Sequence, residues 1–174
     1  YLRPHPPFIA AGHFATMYPP SDVSPSIPVA TSYDLHPLHQ ELRHLPGWRC
    51  PAPDELTFMK TQYYGCITHC DEQLGRVFDT LKRRGQYDNT LIILTADHAD
   101  QMGDQDLLHK AGFFESSYHI PLIIRAPDGA RGVVVEDSFT ENIDIMPTIC
   151  EAIGESIPLS CDGLPLTHFL RGET

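Results

Sequence analysis

The chain has 174 residues, enough for one domain with a buried core, and a formal net charge of −11 that argues against nucleic acid as a partner. No apolar run approaches the roughly 18–20 residues of a membrane span, and although no leader peptide is visible, a chain opening on Tyr1 leaves room for one upstream. Five cysteines without zinc-type spacing (Cys50, Cys66, Cys70, Cys150 and Cys161) read as mostly free thiols in a reducing compartment, hence a cytoplasmic location.

The sixteen prolines lie mainly in the first 53 residues, which predicts a wrapping segment rather than regular structure. Arg3-Pro4-His5-Pro6-Pro7-Phe8 excludes helix and central strand, and the prolines flanking His5 hold its ring in one orientation. On these residues alone it is an extended loop with an incidental histidine. His13 reads as a loop histidine. Residues 21–53 carry His36, His39 and His44 at irregular spacing, and a covering loop fits better than a metal cluster. Tyr33 and Trp48 are candidate anchors for it.

Residues 54–85 are the strongest helix. Ile67, Cys70, Leu74, Val77, Phe78 and Leu81 form a stripe along one face. Pro53 and Asp54 suit its start, Lys82, Arg83 and Arg84 its negative carboxyl end, and Gly85 its stop. Cys66 and Cys70 are expected to be small packed thiols rather than metal ligands.

Residues 90–125 organise the chain. Leu91-Ile92-Ile93-Leu94 and Pro121-Leu122-Ile123-Ile124 are short apolar runs. Runs of this kind suggest a parallel sheet covered on both faces, fed by the helix as a crossover unit. In open α/β sheets ligands bind beyond the carboxyl ends of strands, and Asp97 and His98 stand just there. One hard oxygen beside one imidazole nitrogen makes half a site for a divalent ion. The loop adds Asp100, Asp104, Asp106, His109 and Lys110. Lys110 suits an anionic substrate oxygen; a solvated acidic loop with a paired lysine is the plainer alternative. Further on, Val133–Val135 predicts a short strand. Residues 143–152 predict a helix capped by Asp144, with Pro147 in its first turn and Gly154 at its end. Residues 155–174 read as a loop and tail.

Thr95-Ala96-Asp97-His98-Ala99-Asp100, Leu107-Leu108-His109-Lys110 and the run from Phe113 to Ile124 resemble the sulfatase branch of the alkaline phosphatase superfamily, and within it look most like phosphonate monoester hydrolases and related phosphodiesterases. The resemblance implies an α/β fold with a mainly parallel sheet flanked by helices, here a partial domain. It implies Asp97 and His98 as metal ligands (Mn, Ca or Zn) and Lys110 as the contact to the sulfate or phosphoryl group. It also implies that His5 contacts the transferred group or protonates the leaving oxygen, a task that suits imidazole. Ala99 stands where the family usually has glycine, so the local turn is expected to differ slightly.

The resemblance also implies parts that this chain lacks: an upstream Asp ligand and a nucleophile, usually a cysteine oxidised to formylglycine. Cys50-Pro51 is followed by Ala52-Pro53 and does not match that motif. The expectation is the carboxyl part of a catalytic domain, with 1–53 as the wrapping segment, 54–154 as the core and 155–174 as the tail. Its implied partners are a small anionic ester and the amino-terminal remainder of the domain, with room for a homo-oligomer. A phosphomutase or nucleotide phosphodiesterase of the same superfamily, and a non-catalytic module keeping the fold, are the alternatives.

Overall fold

A computed structural model of the chain describes residues 3–30 and 35–173. It divides into two compact units, one running to Thr80 and including His98–Ile120, the other comprising Leu81–Asp97 and the chain from Pro121 onward. Tyr33 lies outside the described residues.

In the first unit the Pro-rich segment is more ordered than its composition suggests. Helix α1, Pro37–Leu42, starts on a proline, and the His36 ring caps it by accepting from the Leu38 N–H at 3.1 Å. Helix α2, Pro53–Arg83, ends two residues before the expected stop, at Gly85, whose φ of +64° closes the last turn. The packed face of α2 differs from the expected stripe. Ile67 and Val77 are 44% and 45% exposed, whereas Lys60, Thr61, Gln62, Gly65 and Cys66 are buried. The reason is what lies against the helix. The Gln62 amide accepts from the Ala10 N–H (3.2 Å) and donates to the Ala15 carbonyl (2.9 Å). Phe14 stacks on the His69 ring, and Cys66 packs with Ala10 and Phe14. Segment 3–18 is thus received by a small, polar face that apolar periodicity does not mark. The five cysteines are unpaired, as expected.

In the second unit β1, Ile92–Thr95, pairs with β2, Leu122–Arg125. The pairing is antiparallel, with Ile92 opposite Arg125 and Thr95 opposite Leu122. This corrects the parallel expectation for these two strands. An apolar run does not encode direction, and the connection through 96–121 holds only short helical turns, among them α3, Glu115–Tyr118. Both strands are half-buried rather than covered on both faces. Arg125 locks the entry to β1, donating to the Tyr87 and Thr90 carbonyls at 2.6 and 3.2 Å and lying 4.3 Å from the Tyr87 ring centroid. Val133–Val135 is not a strand, and Val134 is 73% exposed. β-branched residues favour extended backbone, but a strand requires a ladder partner.

Helix α4, Ile145–Ala152, follows a 3-10 turn at Asn142–Asp144, with Pro147 in its first turn as expected. Asp144 acts one turn earlier than expected. Its carboxylate accepts from the Glu141 N–H in a capping box, and also from the Leu164 N–H, each at 2.8 Å. Thr148 donates to the Asp144 carbonyl (2.6 Å) and accepts from the Leu166 N–H (2.8 Å), so the tail is stitched to α4 and ends in α5, Thr167–Leu170. Among the described residues no helix is long and apolar enough to cross a membrane.

Candidate active site

The loop after β1 is held almost residue by residue. The Ala99 N–H donates to the Ser117 carbonyl at 2.9 Å, Gln101 to His109 at 2.7 Å and Gly103 to Leu107 at 2.8 Å, folding residues 99–117 back on themselves. The Leu108 N–H reaches the Trp48 carbonyl at 2.8 Å, and Arg49 bridges to Leu107. Trp48 is therefore the anchor its size suggested; its ring meets His109 edge-on at 5.4 Å. His39 is buried rather than metal-directed, with Nε2 2.9 Å from the Gln105 carbonyl and its ring against Phe114.

This fold-back requires unusual backbone. Met102, Gln105, Asp106, His109 and Phe113 all take positive φ, between 47° and 64°. Such angles cost L-residues energy and persist only where neighbours over-determine them. Ala99 is not among them, so its glycine-free turn needs no left-handed residue. The acidic residues supply much of the restraint and are not simply solvated. Asp104 accepts from the Ile27 N–H at 2.8 Å, and Asp106 forms an ion pair with Arg43. The Asp100 side chain is only 11% exposed and accepts from the His109 N–H at 2.9 Å.

The structure brings His98 and Lys110 together: Lys110 Nζ lies 2.8 Å from His98 Nε2. An ammonium only donates, so Nε2 is the acceptor and the ring proton sits on Nδ1, which is 3.0 Å from the Ala99 carbonyl. That tautomer is the one in which an imidazole ligates a metal through Nε2, with the other nitrogen oriented by a carbonyl; here the Nε2 lone pair accepts the Lys110 proton, and an ion would take that proton's place. The donor chemistry at His98 therefore fits a divalent ion. Asp97 is exposed and belongs to the other unit, where the Asn142 amide donates to its carbonyl at 3.2 Å and fixes the backbone there. Among the described residues no group of three or more His, Cys, Asp or Glu is placed to hold a metal. His5 is exposed, in the unit of His98 and Lys110, with Nδ1 2.9 Å from the Pro6 carbonyl.

Segment 3–8 is pinned to α2. Cys70 Sγ donates to the Arg3 carbonyl at 3.1 Å, and Phe8 meets the Tyr63 ring edge-on at 5.4 Å. Burial, reinforced by the nearby Asp100 carboxylate, pushes the Tyr63 hydroxyl up to about 12. Burial, reinforced by Asp106, pushes the Cys50 thiol up to about 11, so it is protonated at neutral pH and a poor nucleophile. Cys50 borders an open cleft of about 400 Å³, lined also by Ser26, Arg43, Leu56 and Asp106. Asp100 is the support that sequence reasoning missed as part of the site, and Trp48, expected only to pin the covering loop, joins it there. The signal for Asp100 was a carboxylate inside a loop with two glycines, and that for Trp48 its size; their partners lie 9 and 60 residues away.

Comparison with known proteins agrees with the motifs. The sulfatase family model matches residues 2–155. The multifunctional alkaline phosphatase superfamily protein PehA of Trinickia caryophylli is 38% identical over 98% of this chain and 36% of its own length. Among solved structures, the phosphonate monoester hydrolase SpPMH from Silicibacter pomeroyi superposes with a TM-score of 0.89 at 38% identity, covering all of this chain and 37% of that one. The phosphonate monoester hydrolase of Agrobacterium radiobacter gives 0.84 at 37% identity, covering 38% of that chain. This chain therefore spans little more than a third of these relatives. It has the α/β fold they share, as part of a domain.

Proposed function

Because the chain belongs to the sulfatase family of metal-dependent hydrolases, we propose that it carries the leaving-group side and half of the metal site of an enzyme that hydrolyses sulfate esters, or phosphonate monoesters and phosphodiesters. The observation that carries this reading is the contact between His98 Nε2 and Lys110 Nζ at 2.8 Å, a ligand-form imidazole beside a cation suited to an anionic oxygen. Asp97 and His98 are the residues that would hold a Mn, Ca or Zn ion. Such an ion supplies Lewis-acid polarisation of the non-bridging oxygens and activation of the nucleophile. Lys110 binds the same oxygens, which lowers the cost of the charge that develops on them.

His5 protonates the departing alkoxide. With its Nδ1 turned to the Pro6 carbonyl, Nε2 is the nitrogen that takes up and delivers the proton. The nucleophile, a formylglycine in this family, lies outside the chain, and the protonated Cys50 thiol is no substitute for it. Fully exposed apolar side chains, Phe139 at 105% and Leu159 at 106%, support packing against the remainder of the domain. The unpaired thiols support a reducing, cytoplasmic setting.

The test is hydrolysis of p-nitrophenyl sulfate and of a p-nitrophenyl phosphonate monoester by the full-length protein, before and after chelation. Turnover should vanish with a chelator and return with Mn²⁺. His98→Ala and Lys110→Ala should each lose on the order of a hundredfold in kcat/KM. Unchanged kcat/KM in both variants would overturn the reading. The isolated chain should show little turnover; rapid turnover abolished by His98→Ala would contradict its assignment as half a site.

A further inference from the structure

We propose that Asp100 is a positioning residue for Lys110, its carboxylate holding the left-handed turn at His109 from which the lysine reaches the His98 ring. The inference rests on the reading of Lys110 as a substrate-anion ligand. Lys110 is exposed and has four rotatable bonds, yet its Nζ lies 2.8 Å from one ring nitrogen. A stem of that kind is aimed chiefly by its Cα and by the peptide before it, and that peptide follows a residue with φ of +64°. That angle is uncommon for any residue but glycine, histidine tolerating it better than most, and it persists where neighbours hold it.

Asp100 supplies the restraint. One carboxylate oxygen accepts from the His109 N–H at 2.9 Å and from the Met102 N–H at 3.4 Å, and the other lies 3.7 Å from His109 Nδ1. The Gln101 N–H donates to the His109 carbonyl, so the amide and carbonyl of one residue are gripped by two neighbours. Trp48 closes the ring side. The carboxylate is nearly buried and faces backbone N–H groups, an acceptor whose loss leaves those donors unsatisfied. Asp100 is two residues from His98, so it links the imidazole and the ammonium through one loop closure.

The test is a double-mutant cycle on the full-length protein: wild type, Asp100→Ala, Lys110→Ala and the double variant. It reads kcat and KM on both p-nitrophenyl substrates, and inhibition by inorganic phosphate. A displacement of about 1 Å at a reacting group costs on the order of a hundredfold, so Asp100→Ala should lose ten- to a hundredfold in kcat/KM and weaken phosphate inhibition. In the Lys110→Ala background it should cost less than about twofold, because the side chain it positions is already gone. Asp100→Asn, which keeps an oxygen for the His109 N–H, should recover most of the activity. A loss repeated in full without Lys110 would mean that Asp100 acts on folding generally and would overturn this proposal alone. A silent Lys110→Ala would overturn the functional reading and this proposal with it. If Asp100→Ala does not fold, Asp100→Glu, which moves the oxygens by one methylene, completes the same cycle.

Discussion

Two glycines on one helix give opposite expectations. A Cβ at Gly65 would lie 2.3 Å from the Phe14 carbonyl oxygen and 2.8 Å from the Ala10 Cβ, whereas one at Gly75 meets nothing within 4 Å. Both sit in α2, where alanine is favoured over glycine by about 0.5–1 kcal/mol. Gly75→Ala should gain most of that. Gly65→Ala carries the same gain, but the carbonyl must retreat from 2.3 Å to at least 3.0 Å. That oxygen is backbone in a segment already tied down by the Gln62 amide, so no side-chain rotation relieves the overlap. Overpacking of this kind costs about 1–3 kcal/mol or more, so Gly65→Ala should be destabilising by about 1–2 kcal/mol net. Because both carry the same helix gain, the pair should differ by the overpacking cost, about 1–3 kcal/mol, in urea unfolding of the full-length protein. Gly65→Ala as stable as Gly75→Ala would show that segment 10–14 does not lie on this face of α2.

Thr148→Val, close to isosteric, strands the buried Leu166 N–H and should cost about 1–3 kcal/mol by the same unfolding assay. Cys50 should resist iodoacetamide at pH 7–8 in the folded protein and react readily once unfolded. Its raised value means that the folded state holds the proton more tightly, so this contribution to stability is complete below pH 9 and lost as pH rises toward 11. Tyr63 adds the same sign of dependence between pH 10 and 12, and Cys50→Ala should flatten only the earlier part of the decline in an alkaline unfolding series. Removing metal from the full-length protein should lower its melting temperature by mass action, and His98→Ala should abolish that difference; an equal metal-dependent shift in the variant would rule out His98 as a ligand.

Much of the local structure was legible. α2 announces itself through the proline and acids at its start, the basic residues at its end and Gly85 beyond, all signals carried by chain neighbours. Both strands were visible as apolar runs, and Asp97, His98 and Lys110 stood out because metal and anion chemistry selects residue types. The Glu141–Asp144 capping box was within reach but was read one turn late. Asp100 was visible only as one acid among several, since its exposure and its partner are set by how the loop folds back.

By itself, then, the amino-acid order determined what depends on residues near one another: the place of the long helix, the two apolar strand runs and the family that the motifs point to. The tertiary structure alone decided the antiparallel course of β1 and β2, the burial of Gln62 and Gly65 in place of Ile67 and Val77, and the meeting of Lys110 with the lone pair of His98. Direction of pairing, the covered face of a helix and the aim of a long side chain are settled by groups tens of residues away. No local pattern encodes which of them will arrive.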